Sequence, residues 1–304
     1  MKNYKSSVAI VALSSFALLG ANAAQADVLA TSVLKLDNLT FYKSGTTDVI
    51  TATDFTALFY TSSADVNASL NGTLVGSDDD TASAAAIDLA PACVGDCPAI
   101  TDNAFPIITS TGGAPSAHFA ASDQYQAGSP IAGLGVFLGA NIQSAAYVSL
   151  LGESSGTSGA NNELGSDFIF SGYSGGIAAA FDLTAYVEAF ATADSIFPSK
   201  AAASFSIVFT ITDANQTELF KYEFAETRSN TSPLSYGDAK VFATPGSIAL
   251  GFDTGDIFDA GEIYTLSART TVNADATMVP EPGMIALLGA GLLGLGFSRK
   301  RRDA

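Results

Sequence analysis

Tryptophan is absent from this 304-residue chain, histidine occurs once, cysteine twice, and 13 basic residues face 30 acidic ones. Each scarcity narrows the function. Without an indole the best aromatic face for stacking on a sugar ring is missing, so carbohydrate contact would fall to tyrosines in Gly/Ser/polar surroundings: Tyr42, Tyr125, Tyr173 and Tyr236. The formal net charge of −17 excludes nucleic acid as a partner, because phosphate binding needs the opposite sign. His118 lies 21 residues beyond Cys97 in a Gly/Pro/Ser-rich stretch, so the two cysteines lack the further ligands of a metal site. An even cysteine count in an exported chain points instead to a disulfide between Cys93 and Cys97, with Gly95 helping the turn.

Apolar segments of membrane-spanning length are also scarce at the two ends, where they matter most. At the N-terminus, Lys2 and Lys5 precede an apolar stretch from Val8 to Leu19 and the small-x-small site Ala24-Gln25-Ala26. That is the pattern of a Sec signal peptide over 1–26, cut by signal peptidase to leave Asp27 first. At the C-terminus, Val279-Pro280-Glu281-Pro282-Gly283 leads into a 14-residue apolar run, Met284 to Phe297, followed by Arg299-Lys300-Arg301-Arg302. As a helix the run measures about 21 Å at ~1.5 Å per residue, short against a bilayer core of ~30 Å. Gly289, Gly291, Gly294 and Gly296 loosen it further. The basic cluster should stay cytoplasmic and leave the rest of the chain outside. These residues alone allow a permanent single-pass anchor or a temporary tether.

The ordered set Pro280-Glu281-Pro282, glycine-rich apolar segment and terminal basic cluster resembles the PEP-CTERM sorting domain over roughly residues 279–304. The resemblance implies an exosortase as processing partner, cleavage near Pro280 to Pro282, loss of the tail, and delivery to the surface of a Gram-negative cell that makes exopolysaccharide. It implies nothing about the residues before 279.

The intervening region, 27–278, is expected to be the secreted domain. Two basic residues lie in the signal peptide and four in the tail, leaving seven; Glu281 and Asp303 leave 28 acids, so the region up to Pro280 carries about −21. Its periodicity predicts an all-β fold, a two-sheet antiparallel sandwich with the jelly roll as one form of it. Phe205, Ile207, Phe209 and Ile211 alternate with Ser and Thr. After the turn signal Asp213-Ala214-Asn215-Gln216, Phe220, Tyr222 and Phe224 alternate with Lys221 and Glu223, predicting a hairpin. Further strands are expected at 28–41, 55–60, 68–75, 133–138, 145–151, 167–171 and 264–269. Residues 177–193 suit a helix or a strand. Two stretches, 77–130 and 154–162, read as loops from their Gly, Ser, Pro and acidic content.

Candidate chemistry is sparse. Gly152-Glu153-Ser154-Ser155-Gly156 and Gly172-Tyr173-Ser174-Gly175-Gly176 both match Gly-x-Ser-x-Gly, but a hydrolase of that type needs a histidine after the serine and none follows His118. Asp253, Asp256, Asp259 and Glu262 recur every three residues around Gly255 and Gly261, a set of hard oxygen ligands that makes Ca²⁺ the one candidate cofactor. Asp78-Asp79-Asp80 reads as a solvated loop. The expectation is a non-catalytic surface or extracellular-matrix protein with no obligate cofactor or metal, held briefly at the inner membrane. Possible extracellular partners include polysaccharide; the alternatives are a carbohydrate- or Ca²⁺-binding adhesin and a secreted hydrolase.

Overall fold

A computed structural model describes residues 27–82, 86–98, 100–110, 117–134, 138–151, 154–191, 199–231, 238–242 and 248–278. Among the described residues the chain forms thirteen strands. They are β1 (Asp27–Lys43), β2 (Phe55–Leu70), β3 (Thr73–Ala82), β4 (Ala86–Gly95), β5 (Phe119–Ala127), β6 (Ala140–Leu151), β7 (Ser154–Phe170), β8 (Ile177–Ala191), β9 (Ser199–Asp213), β10 (Glu218–Thr231), β11 (Asp238–Phe242), β12 (Ile248–Asp253) and β13 (Ile263–Met278). A 3₁₀ turn spans Ala52–Asp54.

The strands make two antiparallel sheets. One has seven strands in the order β11-β8-β1-β6-β5-β4, with β12 also on β8; the other has six, in the order β10-β9-β13-β7-β2-β3. Their facing sides form the main core. Val28, Ala30, Leu34 and Leu36 of β1 meet Phe205, Ile207, Phe209 and Ile211 of β9 with Leu266, Ala268 and Val272 of β13. Alternation is the cause: side chains at i and i+2 share a face, so a period-two apolar pattern loads one side of a strand. A buried Phe, Leu or Ile contributes about 1.5–3 kcal/mol. Ser32 also faces inward and donates its Oγ to Ser204 O across the sandwich at 2.8 Å. The predicted hairpin of β9 and β10 is present, with Tyr222 opposite Phe209 and Phe224 opposite Ile207.

Several expectations need correction. Residues 154–162 are no loop; they begin β7, which lies between β2 and β13 in the six-stranded sheet. Their small side chains suit a close approach of the two sheets: a Cβ on Gly156 would lie 2.7 Å from Val148 Cγ1. Residues 77–130 contain most of β3 and all of β4 and β5. Asp78-Asp79-Asp80 fall on β3, an edge strand, with Asp79 opposite Asp65. Charge on an edge strand discourages a second chain from adding to the sheet. Residues 68–75 are two strands rather than one, joined at Asn71 (φ 51°) and Gly72 (φ 78°). Both central residues have positive φ, the conformation that favours Asn-Gly in a two-residue hairpin turn. The described part of 133–138 forms no strand; Leu138 makes only an isolated bridge to Ser129. Residues 177–191 resolve to the strand β8, whose pairing with β1, β11 and β12 outweighs the helical propensity of its alanines.

Candidate functional site

Strand pairing brings both ends of the described chain to one pole. Asp27 pairs with Leu151 and Val28 with Ala191, while Met278 pairs with both Ser154 and Ser199. Beside them sit the hairpin tip Asn71-Gly72 and the disulfide. Asn71 N–H donates to Ser155 O at 2.8 Å and Ser155 N–H returns to Asn71 Oδ1 at 3.0 Å, pinning the tip to β7. Cys93 and Cys97 are joined, with Cα atoms 6.1 Å apart. Asp96 N–H donates to His118 O at 2.8 Å, so the ring is fastened to the start of β5.

The disulfide opens a strap, whose described residues 96–98, 100–110 and 117–118 lie on the outer side of the seven-stranded sheet. Phe105 is its plug, 1% exposed and packed with Val33, Phe119, Ala121, Ala145, Tyr147 and Tyr186 in a second apolar cluster. Lys35 Nζ stands 5.7 Å from the Phe105 ring centroid. Two hydroxyls under the strap are engaged, Tyr147 donating to Pro106 O at 2.7 Å and Ser149 to Ala117 O at 2.6 Å, whereas Thr31 Oγ1 is buried without a hydrogen-bond partner. Two buried carboxyls hold the strap from below. Asp123 accepts the N–H of Asn103 at 3.0 Å and of Gln124 at 2.9 Å. Glu188 accepts the backbone N–H and hydroxyl of Ser110 and the hydroxyl of Tyr186. Burial pushes the Asp123 carboxyl up to about 7, opposed by those two N–H groups and reinforced by nearby Asp102 and Asp88. Burial likewise raises the Tyr147 hydroxyl.

These are the residues that sequence reasoning missed. A signal existed: Phe105-Pro106-Ile107-Ile108 interrupts an otherwise loop-like stretch, and Asp123 and Glu188 stand alone inside small or apolar strand sequence.

The opposite pole carries the other sequence candidates. Ser174 Oγ donates to Phe258 O at 3.0 Å and lies 3.4 Å from Asp259 Oδ1. Its motif sits between β7 and β8, so the strand-to-helix turn of a nucleophile elbow is not formed. His118 is at the other end of the sandwich, where its Nδ1 accepts the Leu151 N–H at 3.2 Å. Of the second serine motif, Gly152 and Glu153 lie outside the described residues, and Ser154 is the first residue of β7. Among Asp253, Asp256, Asp259 and Glu262, the Asp253 carboxylate is engaged locally: it accepts Ser44 Oγ at 2.6 Å and Gly255 N–H at 2.9 Å, which hold it below the usual carboxylate range. Among the described residues no three His, Cys, Asp or Glu side chains gather into a group able to hold a metal ion.

Asp27 is the first residue of β1, whereas Ala24 and Ala26 lie outside the described residues, as do Pro280, Glu281, Pro282, Arg299, Lys300, Arg301 and Arg302. Among the described residues no helix is long and apolar enough to cross a membrane; the run at 284–297 is not among them.

The folded part thus defines a class by architecture, a two-sheet antiparallel sandwich with both ends at one pole. The chain's address is more specific. Residues 279–302, directly after β13, match the family model described as the PEP-CTERM protein-sorting motif. This motif marks an exported protein processed by an exosortase. No curated protein matches the chain.

Proposed function

We propose that this chain is a non-catalytic exported sandwich, which an exosortase releases or transfers to the outer surface or extracellular matrix of a Gram-negative cell. The signal peptide of 1–26 carries it through the Sec pathway. The segment 284–297 and the basic cluster Arg299 to Arg302 hold it at the inner membrane until the tail is removed. The observation that carries the reading is the match at 279–302, placed directly after a strand that ends the domain. Replacing Pro280, Glu281 and Pro282 together by alanine should leave signal-peptide removal intact and retain the tail. Intact mass spectrometry reads both events, and a product of the same C-terminus as the unmutated protein would sink the proposal.

A second reading, a carbohydrate-binding adhesin, draws on the outer face of the six-stranded sheet. Phe59 stands 69% exposed there, on the same face as Thr61, Ser63, Thr265 and Ser267. An aromatic face among hydroxyls suits the mixed apolar and polar surface of a sugar ring. Binding on a glycan array that is lost in Phe59→Ala would support it.

A further inference from the structure

The two export signals leave the same pole of the sandwich, and the chain has almost no slack there. β1 lies between β8 and β6, and β13 between β9 and β7. β13 stays paired to both neighbours through its last residue: Met278 faces Ser154 and Ser199 and is 4% exposed. Only residues 279–283 separate it from the apolar run that begins at Met284. Five residues reach at most about 18 Å at ~3.3–3.6 Å each. The headgroup layer takes up roughly 5–8 Å of that on each side of a bilayer. The foot of β13 is therefore confined to within about 13 Å of the headgroup surface, unless β13 unpairs from two strands at once.

Charge is distributed to match. At this pole the described strand ends and turns carry Asp27, Asp96 and Asp238 against Lys200. The opposite pole carries Asp48, Asp213, Asp253, Asp256, Asp259 and Glu262. A 16-residue strand at ~3.4 Å per residue places those acids about 50 Å away. The Debye length near physiological salt is about 8 Å, so the acidic pole is screened from anionic headgroups while the near pole is not. The near pole also presents Leu74, 64% exposed, two residues beyond the pinned Asn71-Gly72 tip.

We infer that the pole formed by Asp27, Asn71-Gly72, Cys93–Cys97 and Met278 is a membrane-facing surface that rests against the bilayer headgroups while the tail is in place, with the acidic pole pointing away. The inference rests on the tethering reading above. Its occupant is the lipid surface: the five-residue linker imposes that proximity, and the pole carries fewer acids than the far one.

The test uses the full chain in vesicles of phosphatidylethanolamine and phosphatidylglycerol carrying a nitroxide headgroup lipid, with the folded domain outside. A fluorophore is placed by Thr73→Cys at the near pole or by Asp256→Cys at the far one; Cys93 and Cys97 are bonded to each other and do not compete for label. The near label should be quenched severalfold and the far label scarcely at all. A flexible spacer of about 20 residues, with a mean reach near 25 Å, inserted after Met278 should relieve the quenching. Equal weak quenching at both positions in protein that sediments with the vesicles would overturn the inference and leave tethering intact. Quenching that arises only when an exosortase is added would also overturn it, assigning the pole to the enzyme. Failure to sediment at all would sink the tethering reading and this one with it.

Discussion

The two sheets bury their strands in different ways. Over the part of the seven-stranded sheet nearest the disulfide both faces are covered: Leu29, Thr31 and Val33 of β1 point away from the sandwich core yet are fully buried, as are Tyr147 and Ala145 beside them on β6. In the six-stranded sheet one face is open, and β9 alternates between buried and half-exposed along almost its whole length. An antiparallel sheet can leave one side to water, so the open sheet is the simpler case. The covered sheet needs an added layer, and the described part of the strap, 100–110 and 117–118 with Phe105 as its plug, supplies it. What the difference teaches is that the disulfide belongs to that added layer. It anchors the strap rather than linking the sheets, which agrees with a small ring that fixes a local loop.

Removing the plug tests this most severely. Phe105→Ala should destabilise the protein by roughly 3–5 kcal/mol, the cost of truncating a buried Phe. Denaturant unfolding measures the loss, and a rise in binding of an apolar dye would place it on the outer face of the seven-stranded sheet. A smaller effect is expected where the sheets meet. Gly156→Val inserts a Cβ 2.7 Å from Val148 Cγ1 and within 3.4 Å of Leu150 and Leu70. Overpacking of this kind costs about 1–3 kcal/mol, so a lowered Tm without gain of dye binding separates it from loss of the strap.

The covered sheet should also carry a pH signature centred on Asp123. Asp123 has its folded pKa raised to about 7 against an ordinary value near 4. Between those values the folded state keeps a proton that the unfolded chain has released. The stability from this group is therefore full below about pH 4 and is lost as pH rises toward 7. Asp275, raised by burial, acts in the same direction. Asp54, Asp213 and Asp253 are lowered and act oppositely, but in the more acidic window below their ordinary values. Asp123→Asn should flatten the fall in stability between pH 4 and 7, measured by denaturant midpoints across that range. An unchanged slope would mean that the carboxyl under the strap is ionised throughout.

How much of this could be read from the sequence depended on whether a strand carried its own pattern. β9 and β10 did, because one face of each is apolar and the other polar, and their hairpin turn is spelled out in Asp213-Ala214-Asn215-Gln216. β7 did not: its first nine residues are Ser, Gly, Thr, Ala and Asn, a loop composition, and they are a strand only because β2 and β13 pair on either side and Val148 leaves no room for larger groups. β5 failed for a different reason. Covered on both faces, it contains Asp123, Gln124 and Gln126 without the period that an exposed face imposes. At the termini the reverse holds. The sorting signal is legible as a linear motif, whereas its position at the foot of β13, beside the start of β1, required the pairing of four strands.

The smallest expected effect is on the open face, and it separates stability from function. Phe59 is 69% exposed, opposite Asp167 and away from the core, so Phe59→Ala removes almost no buried area. Surface substitutions of this kind fall within about 0.5 kcal/mol, and the denaturant midpoint should hardly move. An exposed aromatic ring on an outward sheet face with hydroxyl neighbours nevertheless offers apolar area to a ligand at little entropic cost, since two torsions fix it. If that face meets extracellular polysaccharide, Phe59→Ala weakens retention on the polysaccharide while leaving the melting curve alone, whereas Phe105→Ala disturbs the melting curve first. If both variants bind as the parent does, the open face of the six-stranded sheet is simply the wet side of the sandwich, and any contact in the matrix falls to the acidic pole.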